Sequence, residues 1–217
     1  EPYLEAGGNR ERKAVEEQDY SFYSKPKKSS SGKSFRLNET DAHTNVGSLV
    51  ISGGNSTLMA GDDLLLQGSA VNAEKGAAKL IAGNDVQILA VSDSSSARHE
   101  SSKSKNSWGG LNSSKVKDKI SETSTTAVGS MVSGDTVSVA AGQDVKVTGS
   151  ALVSTDDLVV QAGRDLSVDA ALNTFSRTEM HKEKNRDLTG VLTGNNLGLD
   201  DITGNQHLSI SSQKHNG

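Results

Sequence analysis

Val137-Ser138-Val139-Ala140-Ala141-Gly142-Gln143-Asp144-Val145-Lys146-Val147 decides the fold. Val137, Val139 and Ala141 alternate with small or polar residues, and Val145 and Val147 resume the alternation after the punctuation Ala141-Gly142-Gln143-Asp144. A period of two in Val and Ala marks a strand with one face turned inward. The punctuation recurs as Ala60-Gly61-Asp62-Asp63, Ala82-Gly83-Asn84-Asp85 and Ala162-Gly163-Arg164-Asp165, each followed at once by Leu or Val (Leu64, Val86, Leu166). Gly61 and Gly83 form one pair, about 20 residues apart, and Gly142 and Gly163 form another, so that the pair recurs after about 80. Other landmarks keep the longer offset: Gly68-Ser69-Ala70-Val71 answers Gly149-Ser150-Ala151-Leu152, and Val46-Gly47-Ser48 answers Val128-Gly129-Ser130. Short strands bent at recurring corners match the coils of a parallel β-solenoid, stacked at the spacing of neighbouring strands, about 4.8 Å. Gly61, Gly83, Gly142 and Gly163 are expected to take the left-handed conformation at the corners, and Asp63, Asp85, Asp144 and Asp165 to cap them.

Composition agrees with a thin core. Across 217 residues aromatics are 3% and hydrophobics 33%, with 22 Gly and only 2 Pro, so the interior is filled by small aliphatic side chains. Mean hydropathy is -0.50, yet the apolar residues cluster in regular runs, which a disordered chain has no reason to keep. No apolar run approaches the roughly 18 residues that a membrane-spanning helix needs, and no export signal opens the sequence. The start at Glu1 is read as that of an internal fragment, with any signal peptide or toxin domain outside it. There is no Cys, which excludes a disulfide scaffold and thiolate chemistry. A net charge of -4 argues against a general binder of nucleic-acid backbone. Long excursions rich in Ser, Thr, Lys and Asn interrupt the pattern at roughly residues 9–45, 91–127 and 172–205, and they are expected to project as extended hairpins. A short helix is expected around Val116 to Ser121.

The order Val128-Gly129-Ser130, Ser133-Gly134-Asp135, Val137 and Val139, Ala141-Gly142-Gln143-Asp144-Val145, Gly149-Ser150-Ala151-Leu152 and Ala162-Gly163-Arg164-Asp165-Leu166 resembles the filamentous haemagglutinin repeat family. It is similar to the FHA-2 type of repeat region of two-partner-secreted haemagglutinins and contact-dependent growth inhibition exoproteins. The resemblance covers nearly the whole chain and implies a single right-handed parallel β-helix over residues 1–217, a fragment of a much larger exoprotein of a Gram-negative bacterium. It implies a secreted, cell-surface or outer-membrane location, periplasmic retention before delivery, and an outer-membrane secretion partner for the parent chain. The implied function is a non-catalytic filament segment that helps deliver a C-terminal toxin across the target cell's outer membrane. The alternative is an adhesin segment whose loops bind a cell-surface glycan or an outer-membrane protein. The sequence departs from the family in its glycine-rich insertion, represented only by Ser107-Trp108-Gly109-Gly110-Leu111.

Gly32-Lys33-Ser34 has the tail of a phosphate-binding loop, but Lys27 stands where its first Gly belongs. His43, His99, His181, His207 and His215 have no partner at metal-ligand spacing and read as solvent-exposed. The corner aspartates, stacked in a column, could hold calcium, yet they lack the nonapeptide spacing of calcium-binding β-rolls, and turn capping is the better reading. Asp156, Asp157, Arg164 and Asp165 are the nearest approach to a glycan-cleaving site and also read as turn residues. The lysines at 25 to 33 and 103 to 119, with Lys103, Lys105 and Trp108 as the named contacts, are candidates for touching an anionic target surface, against the alternative of a solvated face. No enzyme activity, cofactor, metal or nucleic-acid partner is expected, and the open ends of a β-helix are expected to permit self-association.

Overall fold

A computed structural model describes residues 3–107, 112–187 and 206–216, all of whose regular structure is β-strand. The chain forms two compact units. One takes in Glu1–Glu17, His43–Asp93 and Thr125–Asn173, the other Gln18–Ala42, Ser94–Ser124 and Thr174–Gly217.

The first unit contains three sheets in which every pairing is parallel. One is ordered β1 (Tyr3–Ala6), β6 (Ser56–Ala60), β9 (Ala77–Ala82), β14 (Thr136–Ala141) and β17 (Leu158–Ala162). The second runs β2 (Arg10–Lys13), β7 (Leu64–Gln67), β10 (Val86–Leu89), β15 (Val145–Thr148) and β18 (Leu166–Asp169). The third holds β5 (Leu49–Ser52), β8 (Ala70–Ala73), β13 (Met131–Gly134) and β16 (Ala151–Ser154). The chain visits first, second and third sheet in turn, and each pass lays its strands beside those of the pass before.

Register follows from the period of two. Leu4, Leu58, Leu80, Val139 and Val160 are paired partners in a single column, and Ala6, Ala60, Ala82, Ala141 and Ala162 form the next. Leu64, Val86 and Val145, with Leu66, Ile88 and Val147, do the same in the second sheet, and Val71 and Val132 in the third. Most of these side chains form the core, eight of them with no exposed surface, and Val160 and Ala162 pack against it partly buried. Each buried Leu or Val contributes about 1.5–3 kcal/mol, which is how small residues hold a thin interior together. The columns end differently. At β18, Leu166 and Val168 are 52% and 72% exposed. At β2, Arg10 and Arg12 pair with Leu64 and Leu66 and so occupy the apolar columns, where Arg10 Nη1 and Arg12 Nε find no partner among the described residues. Burial, with Arg12's charge beside it, lowers the pKa of Arg10.

The second unit contains a six-stranded sheet ordered β3 (Val15–Ser29), β4 (Gly32–Val46), β11 (Val91–Ser107), β12 (Asn112–Val128), β19 (Thr174–Asp187) and β20 (Gln206–Asn216). β19 and β20 are antiparallel, with Thr174 opposite Asn216 and Lys184 opposite Gln206. Contacts reveal the same sense elsewhere: Gln18 reaches Asp41 while Tyr20 reaches Glu39, and Glu122 meets Arg177 while Asp118 meets His181. No described side chain of this unit is fully buried.

Three expectations need correction. Val116 to Ser121 is strand, not helix, because β11 and β19 flank it on both sides and the β-branched Val116 and Ile120 suit a pleated surface. The first excursion begins later than residue 9, since Arg10–Lys13 is a strand of the second parallel sheet despite its charge. The corner glycines are not left-handed. Positive φ falls instead at Gly68 and Gly149, with φ 55° and 56°, which turn the chain from the second sheet to the third.

Candidate functional surface

The recurring corner is built by stacking. A Cβ placed on Gly61, Gly83, Gly142 or Gly163 would overlap the carbonyl oxygen of Gly7, Gly61, Gly83 or Gly142 respectively, one pass below. Glycine is therefore required by the close approach of backbone to backbone, not by its own φ. Bonds between passes run through the corner without a break: Gly83 N donates to Ala60 O at 3.1 Å and Asn84 N to Asp62 O at 2.8 Å, and Gly142 N and Gln143 N repeat this on Ala82 O and Asn84 O. The carboxylates join the same ladder. The amide of Asp63 donates to Asn9 Oδ1 (3.2 Å), that of Asp85 to Asp63 Oδ1 (3.3 Å), that of Asp144 to Asp85 Oδ1 (3.1 Å) and that of Asp165 to Asp144 Oδ1 (3.2 Å). Their oxygens thus serve backbone amides, and among the described residues no group of three or more His, Asp or Glu is placed to hold a metal ion.

The candidate glycan-cleaving residues are committed to the same work. Arg164 forks onto Asp144, with Nε to Oδ1 at 2.8 Å and Nη2 to Oδ2 at 2.5 Å. These hydrogen bonds hold the Asp144 carboxyl below the usual carboxylate range and raise the Arg164 pKa. The backbone of Asp156 donates to Asp135 O and that of Asp157 accepts from Val137 N, both as turn contacts between passes. Gly32, Lys33 and Ser34 open the extended strand β4 and do not form a strand-to-helix loop. His43 pairs with Glu16 at 2.8 Å, His99 bonds to Asn38 and His181 to Asp118 at 2.6 Å, so these histidines are engaged across strands. The side chains of His207 and His215, and all of Trp108, lie outside the described residues.

Lysines line two cavities of the second unit. Lys103 and Lys105 on β11 join Lys27, Lys28 and Lys33 around one of about 530 Å³ whose other described walls are Ser, Gly and Asn. A smaller one, of about 190 Å³, is lined among the described residues by Lys115, Lys117, Lys182 and Lys184. Lys182 and Lys184 were missed in the sequence. The signal that could have found them is the Lys-x-Lys spacing, which puts two ammonium groups on one face of a strand and appears at both 115/117 and 182/184.

Chain passes related by a repeated corner and stacked in register define an all-β repeat protein. The chain belongs to the hemagglutinin repeat family, whose model matches residues 28–186 and again 109–217. Among its relatives it is 30% identical over 169 residues to a tRNA nuclease CdiA-2 of Burkholderia pseudomallei, 34% over 195 residues to a tRNA nuclease CdiA of Escherichia coli, and 31% over 146 residues to a 16S rRNA endonuclease CdiA of Enterobacter cloacae. Those matches cover 77%, 82% and 67% of this chain but only 5%, 6% and 4% of the relatives. The chain therefore spans about a twentieth of their length. No solved structure matches it.

Proposed function

We propose that the three parallel sheets are the faces of a right-handed β-helix, and that this helix is a filament segment of a contact-dependent growth inhibition exoprotein. The segment has no catalysis of its own. It is exported with an outer-membrane secretion partner, displayed on a Gram-negative cell, retained in part in the periplasm before contact, and helps carry a C-terminal toxin across the outer membrane of the target. The observation that supports this best is the match to three nuclease-named CdiA proteins over repeats that make up about a twentieth of each. Passes joined by backbone ladders and a Val, Leu and Ala core make a stiff rod whose stability is a sum of nearest-neighbour interfaces.

The lysine-lined cavities favour a second reading, in which the hairpin strands bind a target-cell glycan or outer-membrane protein as an adhesin. One experiment separates the two. The segment is deleted in frame from the parent exoprotein, surface display is checked by antibody, and adhesion and killing are scored in the same co-culture. Retained adhesion with lost killing supports delivery. Lost adhesion with normal display supports the adhesin, and unchanged killing refutes the delivery reading.

A further inference from the structure

The four-lysine cavity on β12 and β19 is an electrostatic anomaly. The contacts of Asp118 with His181 and of Glu122 with Arg177 set the antiparallel register, which puts Lys117 opposite Lys182 and Lys115 opposite Lys184. Like charges directly opposite each other weaken a sheet. The acids nearest in sequence do not relieve them. Asp118 and Glu183 are one residue out of step and so face the other side of the sheet, where Asp118 bonds to His181 and Glu183 to Asn185. Among the described residues none of the four lysines makes an ion pair, although Lys119, on the same face, reaches Glu100 at 3.8 Å. Four ammonium groups around one cavity present donors and positive charge with no acceptor among the described residues.

We infer that this cavity receives the phosphate of an anionic lipid headgroup, so that the second unit docks on the surface of a phosphate-bearing bilayer; this deepens the delivery reading and rests on it. The four ammonium groups share one face of β12 and β19, which suits a headgroup phosphate that approaches from that side. Lys103 and Lys105 do not share the face of the four lysines: Ser101, in step with them on β11, bonds to Asp118 at 3.2 Å, so they lie on the Asp118 side of the sheet. Residues 24–38 and 101–117 contain no Asp or Glu, while the chain as a whole is negative. The cations in the cavity are all Lys, a compact point charge, and among the described residues its walls hold no aromatic ring on which a base could stack.

The test is co-sedimentation of the 217-residue chain with vesicles of phosphatidylcholine alone and of phosphatidylcholine containing about 20 mol% phosphatidic acid or phosphatidylglycerol. The chain is expected to pellet only with the anionic vesicles. Each lysine near such a surface is worth about fivefold in binding, so Lys117→Gln with Lys182→Gln lowers binding roughly 25-fold. The pair Lys117→Arg and Lys182→Arg retains it. Lys115→Gln with Lys184→Gln gives a second, independent loss, while Lys79→Gln with Lys146→Gln, on exposed positions of the parallel sheets, changes it less than about twofold. Removing opposed like charges does not weaken the sheet, and a urea transition checks that each variant is folded. Equal losses in the Lys79/Lys146 control, or no binding by the unaltered chain, overturn the inference. Binding of free tripolyphosphate through the same lysines with none to vesicles overturns the bilayer as its source. If the segment deletion abolishes killing but the lysine variants bind vesicles normally, the inference fails and delivery stands; if vesicle binding needs the lysines but the deletion leaves killing intact, the reverse holds.

Discussion

Gly83→Ala tests the stacking account of the corner most directly. The new methyl group would overlap Gly61 O of the pass below, and because the obstruction is backbone, no rotamer change relieves it. Relief requires the two passes to separate locally, stretching the bonds of Gly83 N to Ala60 O and Asn84 N to Asp62 O, now 3.1 Å and 2.8 Å long. Two ladder bonds at about 1 kcal/mol each, with a further ~1 kcal/mol of residual overlap, give about 3 kcal/mol of destabilisation. For a chain of this size that is a fall of roughly 6–12 °C in the thermal midpoint, read by circular dichroism at the β-sheet band. Gly53→Ala is the control, since a Cβ at Gly53 meets nothing within 4 Å, and its stability should change by no more than ~0.5 kcal/mol. Equal shifts in the two variants would refute the claim that close approach, and not flexibility, requires these glycines.

Stability should also depend on acid through Asp144. Its carboxyl is depressed in the folded chain by Arg164, so its contribution is fully present above the ordinary carboxylate range near pH ~3.9 and is lost as pH falls through the depressed value; melting temperatures measured below about pH 4 should fall less steeply for Asp144→Asn than for the unaltered chain. Val147 and Val168 occupy the same column, but Val147 is 4% exposed and Val168 72%. Val147→Ala should cost about 2 kcal/mol and Val168→Ala less than ~0.5, and comparable urea midpoints for the two would contradict the burial pattern. Arg12→Leu, which replaces a half-buried guanidinium with the residue its column otherwise carries, should raise the midpoint by roughly 2–4 °C, and a lowered midpoint would show that Arg12 has a partner in the folded chain.

The parallel sheets were legible because the recurring corner has a fixed offset and the aliphatic residues keep a period of two on either side of it. Stacking of Leu58 on Leu80 and Val139 follows from that offset alone. The reason for glycine was not legible, because a corner that needs a left-handed residue and one that needs a missing Cβ look alike in sequence; Gly68 and Gly149 turned out to be the former and Gly83 the latter. Arg10–Lys13 was hidden by its charge, since nothing in four polar residues announces a strand whose partner lies at Leu64–Gln67. The hairpin strands were expected as excursions, but their register depends on cross-strand charge and amide pairs such as Gln18 with Asp41, and no apolar alternation reports it. The lysine cavity combines residues from β12 and β19 that only this register brings together.

A sheet with no fully buried side chain among the described residues has a distinctive calorimetric consequence. The heat capacity gained on unfolding comes from apolar surface newly wetted, with polar exposure acting in the opposite sense. Opening β3, β4, β11 and β12 would wet mostly Ser, Thr, Lys and Glu, so these strands should come apart with almost no heat-capacity increment, whereas the Leu and Val columns supply nearly all that the chain displays. Such a segment opens and closes with little apolar surface wetted, a useful property in any chain that has to pass a barrier extended and regain its shape beyond it.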